Sequence, residues 1–202
     1  MALRLISTSF TAPGADLRWD DDFLRAERSR IGLGRRTDRM TSAVLSALDH
    51  LENRQDDAPL LFGSMLGVQG RITAMQNDLL DFPEDQIGPI SFSCSVHNAV
   101  PGAASICFGM KVPLFSLAGF DRLHERVFSL ADAVLSAGDV RHVIVILSEE
   151  RSTMADRTMR LLGLDPMEFA AVFQLESAED GGDVFTIPAG MDYFPWIRSL
   201  LP

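Results

Sequence analysis

The sequence predicts an α/β layered domain, and two observations lead to that prediction. Short β-forming or continuously apolar runs alternate along the chain with longer segments whose apolar residues recur at helical spacing, which is the succession typical of α/β domains. A length of 202 residues with 47% hydrophobic residues suffices for one domain with its own core. In chain order the predicted elements read β-α-β-α-α-β-α-β-β.

The predicted strands are short and rich in β-forming residues. The first alternates loosely between apolar and polar residues, whereas PLLFGS and HVIVIL are continuous apolar runs, as expected for strands buried on both faces. HVIVIL, which starts at His142, is the clearest central strand. The five predicted strands are residues 3–10, 59–64, 112–117, 142–147 and 170–175.

The predicted helices are recognised by apolar residues three or four apart. The strongest covers residues 121–137, where Asp121 is a suitable N-cap and Gly138 a suitable stop. The segment 95–108 is rich in small residues and is predicted to be a buried helix. The remaining helical segments are 22–28, 37–53, 67–80 and the helix-prone connection 152–162.

The chain is divided by prediction into a domain, residues 1–177, and a C-terminal tail, residues 178–202. The tail opens on a Glu-Asp-Gly-Gly turn and ends in YFPWIRSLLP. Such an apolar segment is costly to leave exposed. We expect the tail to pack either on its own domain or on a partner.

Charge and composition exclude several kinds of function. A net charge of −10 argues against a nucleic-acid partner, and no run of about 18 apolar residues or secretory signal is present. We expect a cytoplasmic protein in which Cys94 and Cys107 stay reduced. The four histidines lack HxxxH or HxH spacing, and Gly32-x-Gly34 lacks the context of a dinucleotide loop. We therefore predict neither a metal site nor a cofactor.

One short segment concentrates positive charge in this acidic chain. Between residues 25 and 39 six arginines face only Glu27 and Asp38. The segment is either a solvated helix flank or a site for an acidic partner or a phosphate group. The six are Arg25, Arg28, Arg30, Arg35, Arg36 and Arg39.

Three blocks of the sequence resemble, in order, the N-terminal half of a β-ketoacyl synthase. Gly63-Ser64-x-x-Gly67 follows a strand-like run, and residues 95–106, SVHNAVPGAASI, are similar to the SVHNA-x-x-G-x-x-SI segment of short chain-length-factor relatives. Residues 121–149 resemble the helix and strand that follow the nucleophile. The resemblance, over residues 58–177, implies half of a thiolase-like fold. That half is a layered βαβαβαββ domain with a mixed sheet and helices on both faces.

The resemblance also implies that the catalytic nucleophile is missing. Asn98 and Gly102 match the family's Asn-x-x-x-Gly helix, Pro113 matches the strand entry, and 23 residues after the Asn the family's cysteine is replaced by Asp121. An aspartate cannot carry an acyl thioester. We also expect the second half of the fold, which supplies two histidines in synthases, to be absent.

The family's dimer implies which residues meet a partner. The strand before the nucleophile pairs across the two-fold axis, so we expect an interface at Val112, Leu114 and Ser116, supported by the helix at Asn98 and Gly102. Residues six or seven before the Asn reach toward the partner's acyl tunnel. Here those are Ser91 and Phe92, and Phe115 is a second gating residue. Ordinary core packing is the alternative for both aromatic side chains.

The resemblance therefore implies a non-catalytic, chain-length-factor-like subunit. We expect it to pair with a full-length β-ketoacyl-ACP synthase in fatty-acid-, polyketide- or aryl-polyene-type biosynthesis, and to form a homodimer if isolated. Acyl carrier proteins are acidic, so the carrier should contact mainly the partner, or otherwise the arginines of residues 25–39.

Two alternatives remain open from the residues alone. Cys94 and His97 are three apart, a spacing that places both on one face of a helix and can pair a thiol with a base. They would make the chain a small thiol-dependent acyltransferase or hydrolase. The other alternative is a homodimeric binding module without a synthase partner.

Overall fold

The computed structural model describes residues 3–14, 16–34, 37–82, 92–119, 122–178, 184–187 and 190–201. Strands and helices alternate through these residues, as the sequence predicts. The strands are β1 Leu3–Thr11, β2 Leu60–Ser64, β3 Leu114–Ala118, β4 His142–Glu149 and β5 Phe169–Ser177. The helices are α1 Asp21–Ile31, α2 Arg39–Asp49, α3 Gln69–Asp81, α4 Ala99–Phe108, α5 Leu123–Ser136, α6 Thr153–Leu161 and α7 Tyr193–Leu200.

The strands form one mixed sheet in the order β1-β5-β4-β2-β3. β2 runs parallel to both β3 and β4, whereas β5 is antiparallel to both β4 and β1. The carboxyl ends of the three parallel strands therefore meet at one edge, together with the end of β1 and the start of β5. The predicted α/β domain with a mixed sheet is confirmed.

Apolar side chains cover both faces of the sheet, because neighbouring residues of a strand point to opposite sides. Leu61, Val145 and Leu147 face α5, α6 and α7. Leu60, Ile144 and Ile146 face α1, α2 and α4. The predicted placement of helices on both faces is confirmed as well, and β2 is buried along its whole length.

Local signals set most helix ends. The Asp38 carboxylate accepts a hydrogen bond from the Thr41 amide at 2.8 Å and caps α2, in which nine consecutive residues are buried. The start of α5 differs from the prediction. Arg122, in the left-handed conformation at φ 50°, occupies the N-cap position, and Asp121 lies outside the described residues.

The C-terminal tail contains a helix that completes the core. Tyr193, Phe194, Trp196 and Ile197 of α7 are all buried on the α5 face of the sheet. Helix α7 thus packs on its own chain. Through the parts of the chain that the structure describes, no helix is both long and apolar enough to cross a membrane.

Candidate functional site

Strand β3 forms one end of the sheet. It pairs with β2 on one side, and no other described strand pairs with its free side. None of its five residues is buried, although every residue of β2 is. An edge strand with unpaired backbone groups is a ready template for another chain.

Apolar side chains are exposed on β3 and on the segments next to it. Ile106 of α4 is 85% exposed and Phe92, just before α4, is 63% exposed. We call this set the β3 surface; its members are Phe92, Val96, Ile106, Leu114 and Phe115. Leu114 and Phe115 place apolar side chains on the open edge strand itself, and exposed apolar groups of this kind mark a site of protein association.

The residues predicted for the interface lie on or beside the β3 surface. Asn98 is exposed at the N-cap position of α4 and makes no capping hydrogen bond with its side chain. A methyl group at Gly102 would meet no atom within 4 Å, so this turn of α4 leaves room for an approaching chain. Ser116 is exposed, whereas Val112 is half-buried against the core on the face of the sheet that α2 covers.

The gating predictions fall partly outside the described residues. Phe92 and Phe115 are both exposed and belong to the β3 surface; neither is a core residue in this chain. Ser91, like Asp121, lies outside the described residues.

The Gly63-Ser64-x-x-Gly67 motif forms a tight turn at the end of β2. A side chain at Gly63 would press on Val127 at 2.7 Å and on Leu147 at 2.8 Å, so only glycine lets α5 pack on the sheet. Gly67 has φ +62°, which favours glycine. The imidazole of His97 packs directly on Gly67 and leaves no space for a side chain.

A buried carboxylate organises this turn from the end of β4. Glu149 is 2% exposed. It accepts hydrogen bonds from the Ser64 hydroxyl at 3.0 Å, the Leu66 amide at 3.2 Å and the Met65 amide. The Ser64 Oγ in turn accepts a bond from the Gly67 amide at 2.8 Å. Burial raises the pKa of Glu149 to about 7, and these donors oppose the rise.

Sequence reasoning missed Glu149, because the pair Glu149-Glu150 reads as a solvated loop after the predicted strand 142–147. Strand β4 instead continues through Glu149. Burial also raises the pKa of Glu150 to about 7, and Asp38 and Glu168 add to that rise. The sequence signal for a buried Glu149 was Ser64, which ends a neighbouring predicted strand and whose hydroxyl can donate a hydrogen bond to a carboxylate.

Helix α7 closes the same region from the α5 face. His124 is fully buried between Tyr193 and Trp196, with ring centroids 5.9 and 4.9 Å away and nearly parallel planes. Neither ring nitrogen of His124 makes a hydrogen bond to a described residue, and burial lowers its pKa. Burial together with the nearby Glu149 carboxylate raises the pKa of Tyr193. His124 and Tyr193 are therefore both neutral, and they pack as core aromatic side chains.

The alternative catalytic pair, Cys94 with His97, is not assembled as a nucleophile and base. Both side chains are half-buried, and no hydrogen bond between described residues joins them. The Nδ1 atom of His97 is buried without a hydrogen-bond partner among the residues that the structure describes, and its ring packs against Gly67. The arrangement lacks the base-to-thiol contact that activates a cysteine.

Most described arginines of residues 25–39 are already paired. Arg30 bonds Glu27 at 2.7 Å and also Asp49, and Arg25 bonds Asp22 at 2.7 Å. Arg39 bonds Glu168 at 2.8 Å and also Asp21. Arg35 and Arg36 lie outside the described residues. In the described ranges, no group of three or more histidine, cysteine or carboxylate side chains could hold a metal ion.

Comparison with known proteins gives one family match for this sequence. Residues 32–156 match the family described as Beta-ketoacyl synthase, N-terminal domain. No protein among those with curated descriptions matches the sequence.

Solved structures share this fold at low sequence identity. A chain of the ketosynthase ApeO–chain length factor ApeC complex from Xenorhabdus doucetiae has a TM-score of 0.70 and 16% identity, over 89% of this chain and 81% of that one. A chain of the ishigamide ketosynthase/chain length factor has a TM-score of 0.68 and 16% identity, over 90% and 63%.

A third similar structure contains a carrier protein. It is the AntDE:AntF complex, a type II polyketide acyl-carrier protein with its ketosynthase bound to the hexaketide. The matched chain has a TM-score of 0.56 and 14% identity, over 87% of this chain and 63% of that one. This chain thus spans less than two thirds of the length of the latter two relatives.

Proposed function

The chain belongs to the family of β-ketoacyl synthase N-terminal domains, and from that membership we propose that it is a non-catalytic ketosynthase-like subunit. Its partner is a full-length β-ketoacyl-ACP synthase. The observation that carries the proposal is the open edge of β3 with the exposed apolar side chains of Leu114 and Phe115 on it. Such an edge gains both backbone hydrogen bonds and apolar burial when a second sheet joins it.

The position of Asp121 supports a role without chemistry. Aligned by the family's spacing, it replaces the cysteine that carries the acyl chain, and a carboxylate cannot form that thioester. The partner synthase would supply the thiolate and the polar groups that stabilise the enolate and oxyanion. Two of the similar structures are complexes of a ketosynthase with a chain length factor, which favours the same division of labour here.

The mechanism we propose is steric. The β3 surface positions the synthase, and Phe92 extends from this chain toward the partner's acyl tunnel. A phenyl ring at the end of a tunnel limits how long the chain can grow. The products belong to the fatty-acid, polyketide or aryl-polyene class.

Pairing is tested by co-expression of this chain with a candidate synthase, followed by size-exclusion chromatography. We expect a one-to-one complex, and we expect Ile106→Glu to weaken it by about tenfold or more, since the carboxylate must be desolvated at the interface. Ile6→Glu is the matched control, because Ile6 is 38% exposed on β1, the strand farthest from β3 in the sheet. Equal complex formation by both variants, or a homodimer that excludes the synthase, would contradict the proposal.

Gating is tested separately by Phe92→Ala in the assembled complex. We expect longer products with turnover retained, because the substitution removes bulk without touching the nucleophile. Phe23→Ala, a partly exposed phenylalanine of α1, serves as the control. An unchanged product profile, measured by mass spectrometry, would leave Phe92 as an interface residue only.

A further inference from the structure

A second surface of the chain concentrates unpaired positive charge. Arg18, Thr153, Asp156, Arg157, Arg160 and Leu161 line a groove of about 480 Å³ beside α6, which we call the α6 groove. Arg157 and Arg160 are exposed and make no ion pair with any residue that the structure describes. They differ in this from the paired arginines of α1 and α2.

The carboxylates near the groove do not neutralise it. Asp156 is bonded to Arg151 at 2.7 Å and lies 3.6 Å from Arg18. The bond from Arg151 holds the pKa of Asp156 below its usual range, with help from Arg18 and Arg160. Asp16 accepts a hydrogen bond from the Arg18 amide at 3.2 Å. Three guanidinium groups, those of Arg18, Arg157 and Arg160, thus line the groove with one carboxylate, in a chain whose net charge is −10.

Apolar side chains accompany these arginines. Leu161, Leu162 and Met154 are exposed on the same helix or directly after it. A cationic rim beside apolar side chains is complementary to a protein surface that presents carboxylates around an apolar centre. A small anion would use only the arginines, which are exposed and offer it no buried donor.

We propose that the α6 groove docks an acidic helical face of a protein partner. On the proposed function, on which this identification rests, that partner is the acyl carrier protein. The chain itself would then hold the carrier, at a place other than the arginines of residues 25–39. Arg18 follows β1, the strand farthest from β3 in the sheet, so this end of the groove lies away from the strand edge that a synthase would join.

The experiment measures the affinity of a fluorescently labelled holo-acyl carrier protein for the full chain, by anisotropy at low ionic strength. The test variant carries Arg157→Glu with Arg160→Glu. The control carries Lys111→Glu with Arg141→Glu, which changes the net charge equally at two other exposed basic residues. We expect the test variant to raise the Kd by about tenfold or more and the control to change it much less.

Other outcomes would overturn the inference. Equal losses in both variants would mean that only net charge matters, and no loss in the test variant would place the carrier elsewhere. Inorganic phosphate that displaces the carrier more strongly than sodium chloride of equal ionic strength would indicate a small-anion site. Unchanged synthase binding by the test variant in size-exclusion chromatography separates this inference from the proposed pairing at β3.

Discussion

Glu149 shows how one buried residue can hold several segments in place. Its carboxylate joins the end of β4 to the turn after β2 through one hydroxyl and two amides. Amides left without an acceptor in the interior cost about 1–3 kcal/mol each. The turn that positions His97 therefore depends on a residue 85 positions from Ser64 along the chain.

The raised pKa of Glu149 predicts an unusual pH dependence of stability. Between the ordinary value of 4.5 and the native value of about 7, the folded protein holds a proton that the unfolded chain has released. The free energy of unfolding must then fall as pH rises through that window, by about 3 kcal/mol for this group. We expect Glu149→Gln, whose side chain cannot ionise, to remove this part of the decrease in the free energy of unfolding. Urea denaturation at pH 5 and pH 8 measures it.

Glu150 contributes a similar fall from its own raised pKa, so some pH dependence should persist in Glu149→Gln. Glu52→Gln, at an exposed carboxylate, is the control and should leave the wild-type dependence intact. If Glu149→Gln loses as much stability between pH 5 and pH 8 as the wild type, the carboxylate is ionised in the native protein.

Gly67→Ala tests the turn after β2. The left-handed backbone and the His97 ring both oppose a side chain there, so we expect a loss of about 2–4 kcal/mol. Gly102→Ala is the matched glycine control. It lies within α4 with open space around it, and we expect it to gain about 0.5–1 kcal/mol. Chemical denaturation measures the free energy of unfolding of both variants. Equal effects would show that neither the left-handed backbone at Gly67 nor the His97 ring opposes a side chain there.

Among the secondary-structure elements, α7 buries half of its residues in the core. Its eight residues bury three aromatic rings and Ile197. Trp196 alone lies against His124, Phe128 and Phe173. The helix thus covers a face of α5 and the sheet that would otherwise expose aromatic groups to water.

Trp196→Ala should accordingly destabilise the chain by about 3–5 kcal/mol, because it removes a buried indole and leaves a cavity. The measurement is the urea midpoint with an unchanged slope. Phe23→Ala, on the exposed side of α1, should cost far less. A small effect of Trp196→Ala would mean that α7 is loosely attached.

The elements could be predicted because their signals are local. Asp38 caps α2 as a short polar residue before an apolar period, and the run from His142 gives β4. Contacts between residues that are distant in the sequence could not be predicted. They include the hydrogen bonds that bury Glu149, the stacking of His124 on Trp196, and the pairing of Arg39 with Glu168. The lack of a base beside Cys94 likewise depends on a distant contact, because the imidazole of His97 packs on the turn at Gly67.

At the scale of the whole molecule, different surfaces have different expected occupants. The β3 surface is apolar and open, the α6 groove is cationic, and the α5 face is already covered by α7. On these proposals one molecule binds two partners together, since Arg18 of the groove follows β1, the strand farthest from β3. The proposed subunit would then arrange a synthase and its carrier in addition to limiting product length.

The pairing of β1 with β5 has a consequence for how this protein is made. These strands come from opposite ends of the described chain; Thr8 and the Val172 carbonyl that it bonds are 164 positions apart. During synthesis β1 leaves the ribosome before β5, so it must wait until its partner strand has been translated. At about 5–20 residues per second, that wait lasts on the order of ten seconds or more. A message that is cut short before β5 yields a sheet without its closing strand, and we expect such products to be degraded instead of accumulating.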